Sequence, residues 1–200
     1  MKVLLASGSP RRIELLKTMG FSVRVCPSGA DENFDFAASP EEISSSLALR
    51  KALAVAPFAL DGEYVVAADT SVYSDGVLLG KPKNEDEAYG MLASLSGKIH
   101  FVYTGIAVIH GEKTYCGYEK TAVEFKELTK EHIKNYLATG ESMDKAGAYG
   151  IQGYGSSLVK AISGDYFNVV GLPVAKLCEV LKKEFGVEEL SWLDTAKTEK

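Results

Sequence analysis

The amino terminus sets the tightest limit on what this chain can fold into. Val3-Leu4-Leu5-Ala6 is a short continuous apolar run, the pattern of a strand buried on both faces. Ser7-Gly8-Ser9-Pro10 breaks the run, and Ile13, Leu15, Leu16 and Met19 then recur at helical spacing. Ser9 stands where an N-cap belongs, Pro10 where the first helical residue belongs, and Gly20 closes the segment. A strand that passes through a tight Gly/Ser loop into a helix commits the chain to an α/β arrangement, because the helix must bury its apolar stripe on the sheet. The free N–H groups of the helix's first turn then face the loop and favour an anion there.

The rest of the chain extends this reading. Phe21 to Val25 alternates like a strand, and Ser39-Pro40-Glu41-Glu42 is spaced as a capping box opening a helix to about Ala56. Tyr64 to Ala68 is a second buried run, ending in Asp69-Thr70, and Asp75-Gly76 between Val72-Tyr73 and Val77–Leu79 is a two-residue hairpin signal. Asn84 and Glu87 box a helix that ends near Gly97; Lys98 to Ile109 and Lys113 to Phe125 are long strands turning at His110-Gly111. Thr129 caps a short helix ending at Gly140, a glycine-rich stretch runs to Gly164, and Pro173 starts the last helix. Glu188 to Lys200 is polar and predicted to fray, with Trp192 as its candidate anchor. The expected organisation is one mixed α/β domain over residues 1–187 and a polar tail over 188–200.

Composition excludes several classes. The 22 Lys+Arg against 27 Asp+Glu give a net charge of −5, without the basic face that a nucleic-acid-tracking protein needs. At 200 residues, 46% of them hydrophobic, the chain buries roughly 70% of its unfolded surface and needs no disulfide or metal to fold. Cys26, Cys116 and Cys178 lie far apart with no C-x-x-C pair, and His100, His110 and His132 are isolated, so surface or sheet roles are expected for the histidines rather than a zinc site. The apolar start is shorter than the about seven residues a signal peptide core requires, and no run reaches the ~18 of a membrane span. A cytoplasmic protein without membrane or nucleic-acid partners is the expectation.

Four places carry candidate chemistry. The Ser7–Pro10 loop offers two hydroxyls, and Arg11 and Arg12 add guanidinium forks suited to phosphate oxygens; the alternative is a capped helix with two solvated arginines. Asp69 follows a buried strand, at whose carboxyl end an open α/β sheet places its ligand crevice; the alternative is a turn-forming aspartate. Lys51 interrupts the apolar stripe Ile43, Leu47, Val55, whose i+4 steps turn only ~40° each, and either snorkels or reaches an anionic site. Lys81, held between Gly80 and Pro82, could supply another cation. Asp144 to Gly153 is a glycine-rich segment in which Gln152 offers both acceptor and donors to a nucleobase edge; the alternative is a bulged sheet edge. Residue chemistry alone gives an anion-binding α/β domain with a carboxylate nearby, and no reaction.

Taken together, Ser7-Gly8-Ser9-Pro10-Arg11-Arg12, Ala68-Asp69-Thr70, Leu79-Gly80-Lys81-Pro82, Leu95-Ser96-Gly97, Asp144 to Gly153, Gly164-Asp165-Tyr166 and Asn168 to Pro173 resemble the Maf family of nucleoside triphosphate pyrophosphatases, in family order over roughly residues 2 to 185. The resemblance implies a mixed, twisted sheet flanked by helices with a central cleft, as in Maf and ITPase-like proteins. It implies hydrolysis of a nucleoside triphosphate between the α and β phosphates, with a divalent cation, Mg²⁺ or Mn²⁺, and a homodimer. Arg11, Asp69-Thr70 and Tyr149 to Gly153 fit the branch acting on dTTP and UTP better than the one acting on 7-methyl-GTP. By position, Asp69 resembles the family's proton acceptor; Arg11, Thr70 and Gln152 match positions tied to substrate choice. Ser7, Lys51 and Lys81 fall where the family contacts the triphosphate, with Arg12 beside them in the binding segment, and Glu32 resembles an acidic residue that joins Asp69 near the metal. Ser71 and Tyr73 stand where family members often carry aliphatic residues. Two other classes stay open: a non-catalytic nucleotide-binding regulator of cell division, and a pyrophosphatase for non-standard purine triphosphates.

Overall fold

The computed structural model describes residues 1–35 and 38–193. The opening unit is β1 (Lys2–Leu5), α1 (Pro10–Thr18) and β2 (Ser22–Val25). There follow α2 (Pro40–Val55), β3 (Glu63–Ser74), β4 (Val77–Leu79), α3 (Glu85–Leu95), β5 (Ile99–His110), β6 (Lys113–Phe125), α4 (Lys130–Leu137), β7 (Val159–Ser163), α5 (Tyr166–Val170) and α6 (Val174–Phe185). The strands form one sheet in the order β2-β1-β3-β5-β6-β7, with β4 paired to β3 off that path. β2, β1 and β3 run parallel and the other pairings are antiparallel, so the sheet is mixed.

Local chemistry explains where the elements start and turn. Ser39 Oγ accepts from the Glu42 N–H at 3.2 Å and Glu42 Oε2 accepts from the Ser39 N–H at 2.9 Å, a complete capping box. Asp75 and Gly76 take φ of +50° and +82°, the left-handed pair that a tight hairpin requires. At α3 the box is only half made: Asn84 Oδ1 accepts from the Glu87 N–H at 2.8 Å, but the Glu87 carboxylate goes to the Lys83 N–H. At α1 Ser9 is the N-cap and Pro10 the first helical residue, as expected, but the capping bond is not made. Ser9 makes no side-chain cap; its own N–H donates to Ser7 Oγ at 3.2 Å.

Three apolar clusters hold the layers. On one face of the sheet, Leu16 of α1 and Leu177, Val180 and Leu181 of α6 pack on Val3, Leu5, Val66 and Val108. Trp192 joins this cluster, stacking on Phe21 at 4.6 Å and donating its indole N–H to the Met19 carbonyl at 2.7 Å, so the chain up to Leu193 is docked rather than frayed. Residues 194–200 of the expected tail lie outside the described residues. On the opposite face Ala48, Ala52 and Val55 of α2 cover Leu4, Val65, Ala67 and Ala107. Their small side chains let α2 approach closely: a Cβ at Gly105 of β5 would lie 1.9 Å from the Ser44 carbonyl oxygen. The third cluster joins α3 and α4 to Val72, Val102, Val123 and Phe125.

Two expectations change. The glycine-rich stretch contains β7 and is followed by the short α5, neither of which alternation or periodicity revealed; β7 is a largely exposed edge strand that leaves no buried pattern to read. Secondly, β3 does not stop at Ala68 but continues through Ser74.

Candidate active site

β1 pairs with β3 over Glu63–Val66, and β4 pairs with it over Val72–Ser74. Between them, residues 67–71 have no strand partner on that edge among the described residues, while their other edge stays in register with β5. A cavity of ≈ 860 Å³ is lined by Asp69, Thr70 and Ser71 at this gap. Asp69 is therefore within a strand and not at its carboxyl end, as the sequence suggested. The apolar run ends there because β3 leaves the core for the cleft, and pairing with β5 carries the strand onward.

Ser7, Arg11, Arg12, Glu32, Lys51, Asp69, Thr70, Lys81 and Gln152 all line this one cavity. Successive side chains of a strand face opposite ways, and Asp69 and Thr70 use that alternation. Asp69 faces α2, where Lys51 Nζ reaches its Oδ1 at 2.5 Å. The same ammonium reaches Glu32 Oε1 at 2.7 Å, so one lysine sits between two carboxylates. Only 12% of the Lys51 side chain is exposed: it does not snorkel to water. The Lys51 hydrogen bond holds the Glu32 carboxyl below its usual range, with the charges of Lys81 and Arg12 adding to the effect.

Thr70 faces the other way, toward α1. The Arg12 guanidinium donates through Nη2 to Thr70 Oγ1 at 3.1 Å, through Nη1 to Ser7 Oγ at 3.1 Å, and through Nε to the Gly171 carbonyl at 2.7 Å. Burial draws its pKa down, and the charge of Asp69 opposes the shift. This is not a solvated arginine; its fork ties α1 to β3 and to the turn after α5. Arg11 makes a different link: its Nη1 meets Asp144 Oδ2 at 3.2 Å across the cavity, and Lys145 Nζ holds the other Asp144 oxygen at 2.6 Å.

The Gln152 segment is an irregular loop, not a bulged edge. Glu141 accepts from the Tyr154 and Gly155 N–H groups at 3.1 Å each, and Tyr136 Oη accepts from the Gly150 N–H at 3.2 Å. His100, expected in a plain surface or sheet role, lies fully buried on β5 with Nε2 2.7 Å from Tyr149 Oη. Burial pushes its pKa down to about 4, so it meets that hydroxyl as a neutral ring. Glu141, Asp144, Thr104 and Asn168 escaped the sequence reading of single residues; their partners stand far along the chain, and only the segments 144–153 and 168–173 gave a signal.

The donor set bears on metal binding. Among the described residues no cluster of three or more His, Cys, Asp or Glu side chains could hold an ion. Asp69 and Glu32 alone converge, within hydrogen-bond reach of one ammonium. Two carboxylates fit a hard divalent ion that takes its remaining ligands from water and phosphate.

Comparison with known proteins then decides the family. A family model described as "Maf-like protein" matches residues 2–184. The chain belongs to the Maf-like family. A dTTP/UTP pyrophosphatase of Caldanaerobacter subterraneus subsp. tengcongensis is 50% identical to this Maf-like chain over 190 residues, covering 94% of the chain and 91% of the relative. A dTTP/UTP pyrophosphatase of Bacillus cereus is 52% identical over 182 residues, 91% and 95% of the two chains. Among solved structures, the Staphylococcus aureus Ham1 protein overlaps 80% of each chain at 14% identity and a TM-score of 0.45, a likeness too distant to argue from. No helix among the described residues is long and apolar enough to cross a membrane.

Proposed function

We propose that this protein is a nucleoside triphosphate pyrophosphatase that hydrolyses dTTP and UTP to the monophosphate and pyrophosphate. The observation that carries the reading is the Glu32–Lys51–Asp69 bridge on one wall of a cavity whose other wall is the Ser7–Arg12 loop. Substrate identity is supported by the two relatives about half identical to this chain, both dTTP/UTP pyrophosphatases over nearly their whole length.

Phosphate oxygens fit the loop: the first-turn N–H groups of α1 and its dipole favour negative charge, and Arg11 and Lys81 add cations. Asp69 accepts a proton from the attacking water. The water oxygen bonds to the α phosphorus as the bond from that phosphorus to the α,β-bridging oxygen breaks, and pyrophosphate leaves with the negative charge. Lys51 holds Asp69 oriented for that role, and Gln152 faces the base from its braced loop. Asp69 and Glu32 are the residues that would hold Mg²⁺ or Mn²⁺, which when bound supplies charge neutralisation to the phosphates. Residues 1–187 serve as one catalytic unit in this reading, working in the cytoplasm as a homodimer.

Asp69→Asn tests it. The amide keeps the shape and loses the proton acceptor, so pyrophosphate release from UTP and dTTP should fall by about 10²- to 10⁴-fold while nucleotide binding and the melting temperature stay close to wild type. Release near the wild-type rate would refute the assignment.

A further inference from the structure

We infer that Thr104, buried and out of reach of any ligand, fixes the hydroxyl of Thr70 as a hydrogen-bond acceptor, so that Thr70 selects a substrate presenting a donor at that point. The inference rests on the nucleotide reading above and deepens it; it concerns the polarity of one wall of the cleft.

A hydroxyl carries one hydrogen and two lone pairs, and the surrounding partners decide how each is used. Thr104 is fully buried on β5, and its Oγ1 lies 2.9 Å from the Asn168 carbonyl oxygen. A carbonyl can only accept, so Thr104 spends its single hydrogen there. Thr104 Oγ1 also lies 3.0 Å from Thr70 Oγ1, and the hydrogen in that contact must then come from Thr70. One Thr70 lone pair accepts from Arg12 Nη2 at 3.1 Å. What remains to Thr70, half-buried in the cavity wall, is one lone pair and no hydrogen.

Ser7 comes out with the opposite polarity. Its Oγ accepts from the Ser9 N–H at 3.2 Å and from Arg12 Nη1 at 3.1 Å, which occupies both lone pairs and leaves its hydrogen to donate. One guanidinium thus holds a donor-presenting hydroxyl and an acceptor-presenting one in the same wall. Ser7 suits a phosphate oxygen. Thr70 is unsuited to one, since two lone pairs would face each other. The donors that UTP and dTTP have in common are the N3–H of the 4-oxo base and the sugar 3′-hydroxyl. Cytosine has a lone pair at N3 and fails the first. Asn168, itself fully buried, keeps its carbonyl in place by donating from Nδ2 to the Val102 carbonyl at 3.1 Å and to Thr121 Oγ1 at 3.0 Å. Thr104 is therefore a positioning residue that acts through Thr70.

The test is equilibrium binding of the α,β-imido analogues of UTP, CTP and 3′-deoxy-UTP to wild type, Thr104→Val and Thr104→Ser, with pyrophosphate release from UTP measured on wild type. Wild type should bind the UTP analogue about tenfold to a hundredfold more tightly than one of the two analogues lacking a donor, the penalty of one buried polar group left unpaired. The arm showing the preference, CTP or 3′-deoxy-UTP, identifies the donor as N3–H or the sugar hydroxyl. Thr104→Val frees the Thr70 hydrogen for the N3 lone pair of cytosine and should bring a UTP-over-CTP ratio to within about twofold, whereas Thr104→Ser restores it; a ratio over 3′-deoxy-UTP, which offers nothing to take that hydrogen, should fall only in Thr70→Val. A purely structural role would weaken all three ligands alike and leave the ratios unchanged. Thr70→Val, which leaves Thr104 intact, gives the same readout should Thr104→Val fail to fold. A UTP-over-CTP ratio kept in Thr104→Val, a ratio in either arm kept in Thr70→Val, or no preference in wild type, overturns the inference. Wild type that shows the binding preference but releases no pyrophosphate from UTP overturns the proposed function and leaves the hydroxyl assignment standing.

Discussion

Arg12→Lys keeps the charge at position 12 and removes the fork, which makes it a clean test of how the cleft is held together. The guanidinium makes three side-chain hydrogen bonds, to Gly171 O, Ser7 Oγ and Thr70 Oγ1, that link α1, β3 and the turn after α5. An ammonium presents its three N–H donors from one nitrogen and cannot reach three acceptors spread around a plane, so it retains about one of these bonds. Each hydrogen bond to a charged group contributes about 1.5–3 kcal/mol. Two lost bonds give about 3–6 kcal/mol, and because the Ser7 and Thr70 hydroxyls border the cleft and regain water, the lower end applies: about 3 kcal/mol. For a chain of this size that is a fall of roughly 6–12 °C in melting temperature. Urea unfolding should show a lower midpoint with an unchanged slope. A variant within about 0.5 kcal/mol of wild type would refute the claim that the fork is a structural tie.

Two further substitutions probe the layers that carry the site. Gly105→Ala places a methyl 1.9 Å from the Ser44 carbonyl oxygen and 2.2 Å from its carbon, backbone atoms that cannot turn aside. α2 must lift off the sheet and take Lys51 from Asp69; a loss of about 3 kcal/mol by urea unfolding and a matching drop in turnover are expected, and a neutral variant contradicts the packing. Glu63 accepts from Arg24 at 2.9 Å through Nε, from Arg24 Nη2 on its other oxygen, and from the Leu60 N–H at 2.8 Å. The Arg24 hydrogen bond is the main reason its pKa falls from 4.5 to about 2. A depressed carboxyl stabilises the fold above its unfolded pKa and loses that contribution as pH falls through the folded value. The stability advantage of wild type over Glu63→Gln should thus be full near pH 6 and shrink between pH 4.5 and 2; an advantage independent of pH removes the argument.

What could be read from the sequence was what short-range chemistry decides. The Ser39–Glu42 box, the Asp75-Gly76 turn and the Thr129 cap each lie within four residues of their partners, and each formed. Most candidate site residues could be named because loop and strand motifs carried them, Lys51 because it interrupts a helical stripe and Glu32 only through the family resemblance, and they line one cavity. What escaped depends on distant partners. The gap in the edge of β3 exists because β1 stops and β4 starts on the same side of it, which no local pattern encodes. Asp144 meets Arg11 across 133 positions, and Thr104 reaches the Asn168 carbonyl across 64. Gly105 carried a faint signal, a glycine inside an apolar strand, whose meaning became plain only with the α2 backbone beside it.

Turnover of UTP in ¹⁸O-labelled water tests the central claim most directly, because it reports which phosphorus is attacked. The account predicts one labelled oxygen in UMP and unlabelled pyrophosphate. Label in the pyrophosphate, or release of orthophosphate instead, would contradict it.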